Sequence, residues 1–112
     1  MANSQLLKGT LEGCVLAIIS TKEVYGYELV QVLRNQGFPQ VIGGTIYPLL
    51  QKLEKRALLK STMHPSEDGP DRKYYQITDN GRAYLMNFQE EWQQLNQIVT
   101  TILTTAQEDL HE

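Results

Sequence analysis

The alternation of apolar and polar positions predicts two helices in the first third of the chain. Between residues 6 and 19, apolar side chains recur at spacings of three and four, as on one face of a helix. A second helix is predicted from about Tyr25 to Asn35. Gly37 stands in the position of a left-handed C-cap, and Pro39 confirms the stop. Short loops between such helices occur in helix-turn-helix domains and in other small helical domains.

The stretch from Gly43 to Leu59 predicts a third helix with two distinct faces. Its apolar face follows spacings of three and four and comprises Ile46, Leu49, Leu50 and Leu53. Thr45 is expected to be the N-cap, with Pro48 at the third helical position, where a missing N–H removes no intrahelical bond. The other face carries side chains that reach phosphates and base edges in a major groove: Thr45, Tyr47, Gln51, Lys52 and Lys55. A solvated polar face on an ordinary amphipathic helix would give the same pattern.

After Leu59 the period changes to that of a β-hairpin. Residues 60–64 and 74–77 read as strands, and residues 65–71 are turn-forming throughout. A hairpin directly after the third helix is the wing of a winged helix. Arg72 and Lys73 are expected to leave the loop together, where a wing would meet the sugar-phosphate backbone. The alternative is a solvated hairpin tip, which the acidic residues of the loop favour.

The last segment predicts a long helix that begins at Asp79 and is capped by Thr78. Along it, spacings of three and four alternate without a slip through three heptads, at Leu85, Phe88, Trp92, Leu95, Val99, Ile102 and Ala106. A small winged-helix domain does not cover so long an apolar stripe by itself. The same helix from a second copy is the simplest partner, so the sequence predicts a homodimer.

Together these elements predict a mainly α fold with a small β-hairpin. Residues 1–78 would form a winged helix-turn-helix DNA-binding domain, and residues 79–112 would form a C-terminal dimerisation helix. Double-stranded DNA is the expected partner of the domain, and an identical chain is the expected partner of the helix.

The distribution of charge along the chain is more consistent with a DNA-binding protein than the net charge is. The formal net charge is −3, but residues 1–60 carry a net +3 and residues 82–112 a net −4. A single cysteine excludes an internal disulfide and fits a reducing cytoplasm. No apolar run is long enough to span a membrane, and the N-terminus lacks a secretory signal. We therefore expect a cytoplasmic protein without membrane contact.

Residues with catalytic or metal-binding potential form no recognisable pattern. Cys14 lies among apolar residues and is interpreted as a small buried hydrophobe. His64 and His111 have no partners at metal-ligand spacing, so no zinc site and no cofactor are expected. Gly43 and Gly44 lack the strand-to-helix context of a phosphate-binding loop. We expect no enzyme; a winged-helix module that binds protein without DNA is the alternative.

Four motifs along the chain carry a family resemblance: Leu6-Leu7-Lys8-Gly9-Thr10-Leu11-Glu12, Tyr25-Gly26-Tyr27-Glu28-Leu29, Gly44-Thr45-Ile46-Tyr47-Pro48-Leu49-Leu50 with Leu53-Glu54, and Gly69-Pro70-Asp71-Arg72-Lys73-Tyr74-Tyr75 with Thr78. In this order they resemble the PadR family of bacterial transcriptional regulators. The resemblance implies a repressor that dimerises through its terminal helix. It also implies that the residues near DNA are Tyr27, Thr45, Tyr47 and Lys52, with Arg72 and Lys73 serving the wing. Some members carry a further basic residue where this chain has Pro70 or Asp71.

Trp92 is also a candidate for binding a small molecule. A two-fold axis would bring Trp92 close to its own copy, and gaps beside large rings accept a planar aromatic ligand. In small multidrug-sensing members of the family that this chain resembles, a tryptophan of the terminal helix binds the ligand in this way. The candidate ligand-binding residues are Trp92, Phe88, Gln89 and Asn96. Alternatively, Trp92 is a seam residue buried against the first helix, with no cavity.

Overall fold

A computed structural model describes residues 9–111 of the chain. Within that range the helices are α1 (Leu11–Thr21), α2 (Gly26–Gln36), α3 (Gly43–Lys55) and α4 (Asp79–His111). The strands are β1 (Val24–Tyr25), β2 (Leu59–Ser66) and β3 (Gly69–Ile77). The predicted fold class is confirmed, because short helices are followed by a β-hairpin and then by a long C-terminal helix.

The core lies where the first three helices meet the inner face of the sheet. Ile46, Leu50 and Leu53 of α3 are completely buried, as their spacing predicts. They form one cluster with residues of α1 and α2, among them Leu16 and Leu29. Burying a side chain of this size contributes roughly 1.5–3 kcal/mol. The apolar face therefore anchors α3 and leaves its opposite face exposed.

The sheet is antiparallel with the order β1-β3-β2. The strand β1 was not predicted, because two residues are too few to show a period. The hairpin is longer than predicted: both strands extend through the expected loop, and only Glu67 and Asp68 form the turn. Pro65 is tolerated in an edge strand because the pairing is irregular between His64 and Ser66.

Helix α3 begins three residues before the start that a cap at Thr45 implies, and it ends at Lys55, four residues before Leu59. Gly43 is its first residue and Ile42 its N-cap, in extended conformation and without a side-chain cap hydrogen bond. The carbonyl of Ile42 accepts the N–H of Thr45 at 3.0 Å, so Thr45 lies inside the helix and is not the cap. Pro48 is consequently the sixth helical residue. It lacks the N–H that would bond to the carbonyl of Gly44.

The ends of the first two helices agree with the prediction in part. Residues 6–8 of the first predicted helix lie outside the described residues, while Gly9 and Thr10 form a turn before α1. Helix α2 ends as predicted. Gly37 has a φ of +129°, and its N–H donates to the carbonyl of Arg34. A residue with a side chain rarely adopts this φ, so the glycine suits the cap.

Helix α4 starts as predicted and then extends away from the core. Thr78 Oγ1 accepts the N–H of Gly81 at 2.9 Å, which is the expected capping bond. Leu85 belongs to the core and Phe88 is half-buried, whereas the side chains of residues 89–109 are exposed. Leu85 was predicted to lie in a dimer seam. The structure places it in the core of its own chain, because the first turns of α4 pack on α1.

Candidate nucleic-acid interface

The exposed face of α3 has a centre and two flanks. All five residues predicted to face DNA are exposed: Thr45, Tyr47, Gln51, Lys52 and Lys55. Because a helix turns by about 100° per residue, Gln51 and Lys55 lie opposite the buried face. Tyr47 lies on one flank, and Thr45 and Lys52 lie on the other. The centre of the face therefore presents an amide and an ammonium group, which are donors for base edges and phosphates.

The ring of Tyr47 occupies a gap between two glycines. A Cβ on Gly26, at the start of α2, would overlap the ring. A Cβ on Gly43, one turn earlier in α3, would lie 2.8 Å from ring atom Cε2. The residue nevertheless stays 46% exposed. Tyr47 thus joins the starts of the two helices and still presents part of its surface to a partner.

Lys52 and Arg56 share one carboxylate on the opposite flank. Lys52 Nζ lies 3.7 Å, and Arg56 Nη1 lies 2.8 Å, from the carboxylate oxygens of Glu12 on α1. The hydroxyl of Tyr84 on α4 donates to the same carboxylate at 2.8 Å, and this hydrogen bond raises the pKa of Tyr84. Among the residues that the structure describes, Lys55 has no ion-pair partner. The ammonium group of Lys55 is therefore more available to a phosphate than that of Lys52.

Arg72 and Lys73 lie within β3 and point to opposite faces of the sheet. The prediction that they leave a loop together is wrong, because the hairpin continues past them. Lys73 Nζ lies 2.9 Å from the carboxylate of Glu54 on α3. A hydrogen bond from Ser61, together with Lys73, lowers the pKa of Glu54. These contacts attach the inner face of the wing to α3.

The outer face of the sheet carries a row of aromatic rings that continues to the start of α2. We call the residues of this row the aromatic row: Tyr27, Tyr25, Tyr74 and His64. The ring centroids of Tyr25 lie 6.4 Å from Tyr27 and 5.3 Å from Tyr74, and His64 meets Tyr74 edge-on at 4.6 Å. The guanidinium carbon of Arg72 lies 4.7 Å from the ring centroid of Tyr25. Arg72 and Tyr27, which were predicted separately, therefore belong to one surface.

Two residues of the candidate interface, one on the sheet and one at the start of α3, were not predicted from the sequence. Tyr25 acquires its place only through the pairing of β1 with β3, which has no local signal. Ile42 is 55% exposed at the N-cap of α3. An exposed apolar residue has no distinguishing pattern in the sequence, yet it suits contact with a thymine methyl group.

The predicted dimer and ligand residues of α4 are mostly exposed in the single chain. Trp92, Leu95, Val99 and Ile102 have exposures of 45%, 56%, 43% and 62%. Gln89, Asn96 and Ala106 are also exposed. Phe88 is different, because it lies against Gly13 of α1. Trp92 is not buried against α1, so the interpretation of Trp92 as a residue covered by that helix does not hold in the single chain.

The side chains of residues 9–111 lack the groupings that are typical of metalloproteins. In that range no group of His, Cys, Asp and Glu side chains is placed to hold a metal ion. Cys14 is half-buried against the core, and burial raises the pKa of its thiol. A protonated thiol is a poor nucleophile. None of the helices in this part of the chain has the length and apolar character needed to cross a membrane.

Residues 15–87 match the model of the transcriptional regulator PadR-like family. The crystal structure of a PadR-like transcriptional regulator from Bacillus cereus is 49% identical, with a TM-score of 0.81 over 89% of this chain and 97% of the other. That of a Streptococcus transcriptional regulator is 54% identical, with a TM-score of 0.80 over 89% and 98%. A transcriptional regulator of Mycobacterium tuberculosis is 39% identical over 71 residues, which are 63% of this chain and 64% of that protein.

Proposed function

This chain belongs to the PadR-like family of transcriptional regulators, and we propose that it is a repressor that binds a pseudo-palindromic operator as a homodimer. As a member of this family it is a regulator of transcription and not an enzyme. In the proposal, residues 1–78 bind DNA and residues 79–112 dimerise. One observation carries the proposal: the exposed face of α3 continues into the outer face of the wing. The ring of Tyr47 packs against Gly26, and the guanidinium of Arg72 lies over the ring of the adjacent Tyr25.

The centre of α3 would enter the major groove. Gln51 offers an amide that suits an adenine edge, and Lys55 offers a cation that suits guanine or phosphate. Thr45 and Tyr47, near the start of the helix, would contact bases or set the register. Lys52 would contact a phosphate only after releasing the carboxylate of Glu12. We therefore assign Lys52 a smaller contribution to DNA affinity than Lys55.

The outer wing and the start of α2 would contact the sugar-phosphate backbone. Tyr27 is 60% exposed at one end of the aromatic row, where its hydroxyl suits a phosphate oxygen. Arg72 is exposed on the same face. Lys73 faces the other side and is paired with Glu54, so it would act mainly by holding the wing against α3.

Dimerisation is supported by the unpaired apolar face of α4. Six large apolar side chains between residues 92 and 103 are exposed: Trp92, Leu95, Ile98, Val99, Ile102 and Leu103. A contiguous apolar patch of this kind marks an interface, and a closed two-fold dimer is the commonest way to cover it. Ala106 would extend the seam by one turn. Two DNA-binding surfaces related by a two-fold axis match the two half-sites of a palindrome.

Repression follows from occupancy. A dimer that covers two half-sites in a promoter would exclude RNA polymerase from the same DNA. Footprinting on DNA upstream of the chain's own gene tests this proposal. We expect two protected half-sites centred about one helical turn, on the order of 10 base pairs, apart. Absence of any footprint at low salt would favour the alternative, a module that binds protein, to which the acidic wing turn at Glu67 and Asp68 is suited.

A planar aromatic effector is the remaining part of the proposal. Trp92 is large, apolar and exposed on the face that would meet the partner helix, with Gln89 and Asn96 one turn away on either side. Phe88 would close the end of the site nearer α1. Because the chain has one tryptophan, its fluorescence reports this position alone. Saturable quenching by planar cationic dyes, lost in Trp92→Ala and accompanied by release of DNA, would support an effector site, whereas a flat titration would leave Trp92 as dimer packing.

A further inference from the structure

The pairing of β1 with β3 places Arg72 beside Tyr25. Tyr25 lies directly opposite Tyr74 in the register of the two strands. Arg72 precedes Tyr74 by two residues, so it lies on the same face and is the diagonal neighbour of Tyr25. Its guanidinium carbon lies 4.7 Å from the Tyr25 ring centroid, within the range of a cation–π contact.

The ring of Tyr25 is itself held in place. Tyr27 stacks on it with 19° between the ring planes, and Tyr74 packs against it at an angle of 57°. The phenol ring is half-buried, whereas Arg72 is exposed. A guanidinium that lies over a fixed ring keeps its N–H groups, which lie in its plane, free to donate.

Lys73 shows the contrasting arrangement. It is the next residue on β3, and its ammonium group also lies near a ring, 5.4 Å from the ring centroid of Tyr75, but this group is paired in addition with the carboxylate of Glu54 at 2.9 Å. A phosphate would have to displace that carboxylate. An aromatic ring, in contrast, holds Arg72 without neutralising its charge. Both neighbouring cations therefore lie near a ring, but Lys73 is also paired with a carboxylate, and Arg72 is the more available of the two to an anion.

We infer that Tyr25 is a positioning residue for DNA binding, because its ring presents the guanidinium of Arg72 to a phosphate. The inference rests on the proposed contact between Arg72 and DNA. A long side chain that is already ordered loses less freedom when it binds. An exposed cation–π contact corresponds to about a two- to five-fold effect on an equilibrium. Removal of the Tyr25 ring should weaken DNA binding by this factor.

The test measures the affinity of the full chain for a duplex from its own promoter, by fluorescence anisotropy at several salt concentrations. Arg72→Ala should weaken binding and flatten the salt dependence. Tyr25→Leu should weaken binding by about two- to five-fold, and Tyr25→Phe should bind as the wild type does. The double variant Tyr25→Leu with Arg72→Ala should bind no more weakly than Arg72→Ala alone.

Other results overturn the inference in distinguishable ways. If Arg72→Ala weakens binding but Tyr25→Leu does not, Tyr25 has no positioning role and the proposed contact stands. Additive losses in the double variant would show that Tyr25 acts through the sheet and not through Arg72. If Arg72→Ala itself binds normally, the wing contact of the proposed function fails and the inference fails with it.

A second variant covers the case in which Tyr25→Leu does not fold. Tyr25→Ile removes the ring but keeps a large β-branched side chain, which suits a strand. We expect binding to weaken by about two- to five-fold while the slope of the salt dependence stays unchanged, because Arg72 keeps its charge. Binding of Tyr25→Ile at wild-type affinity would overturn the inference.

Discussion

Phe88 on α4 lies directly against Gly13 on α1, where a Cβ on residue 13 would overlap the ring. The glycine lets the two helices approach closely. One turn earlier on α4, Tyr84 donates to the carboxylate of Glu12, the neighbour of Gly13. These two contacts set the direction in which α4 leaves the core. In the proposed dimer, the direction of α4 determines the distance between the two DNA-binding surfaces.

Gly13→Ala should therefore destabilise the chain. The added methyl group has no room beside Phe88, and overpacking of this kind costs about 1–3 kcal/mol. Urea unfolding followed by circular dichroism measures the change. Gly9→Ala is the matched control, because a Cβ on Gly9 would meet no atom within 4 Å. Equal stability of both variants would show that Phe88 moves aside freely.

Ala57→Gly should stabilise the chain. Ala57 follows the C-terminal end of α3 with a φ of +62°, in the left-handed region. A residue with a Cβ is strained there, and glycine at such a cap relieves roughly 1 kcal/mol after its greater unfolded-state freedom is counted. The control is Ala83→Gly, in the interior of α4, which should destabilise by about 1 kcal/mol. Destabilisation by both substitutions would contradict the strain at Ala57.

Glu54 should make the attachment of the wing dependent on pH. Its pKa is lowered from 4.5 by the hydrogen bond from Ser61 and then by Lys73. A carboxyl with a lowered pKa in the folded state stabilises that state above its unfolded pKa and loses this contribution as the pH falls. In thermal unfolding, the wild type should thus have a higher melting temperature than Glu54→Gln at pH 7. This gap in melting temperature should close as the pH falls below 4.5. A gap that stays constant down to pH 3 would contradict the ionic role of Glu54.

Charge on the exposed stripe of α4 should split the proposed dimer. Leu95→Glu with Val99→Glu would bury a carboxylate pair in an apolar interface, which is strongly unfavourable. Sedimentation should then give the mass of a single chain. Met86→Glu is the control, because Met86 is 66% exposed but lies off the predicted seam. A double variant that sediments as a dimer would place the interface elsewhere.

Elements with a strong local pattern were predicted correctly from the sequence. The buried residues of α3 follow helical spacing, and the cap at Thr78 follows from a hydroxyl at the start of an apolar-periodic segment. The start of α3 was misplaced because Ile42 caps through an extended backbone, which has no side-chain signature. Gly43 and Gly44, which precede the cap expected at Thr45, belong to the first turn of the helix.

The functional surface was predictable as a set of residues but not as an arrangement. The exposed face of α3 follows from the helical period alone. The partners of its cations do not, because Glu12 pairs with Lys52 and Lys73 pairs with Glu54 across long stretches of chain. Such pairings depend on how the helices and the wing pack together. Local spacing therefore identified the lysines but could not tell which of them is engaged by a carboxylate.

The salt dependence of DNA binding tests the central claim most directly. Each phosphate contact should contribute about 0.9 to the slope of log affinity against log salt. We expect the wild type to bind its promoter duplex with a steep slope, and Lys55→Ala and Arg72→Ala to reduce the slope by about 0.9 each, while Lys55→Arg keeps it. Slopes in Lys55→Ala and Arg72→Ala that equal the wild-type slope would contradict the claim that α3 and the outer wing form the DNA-binding surface.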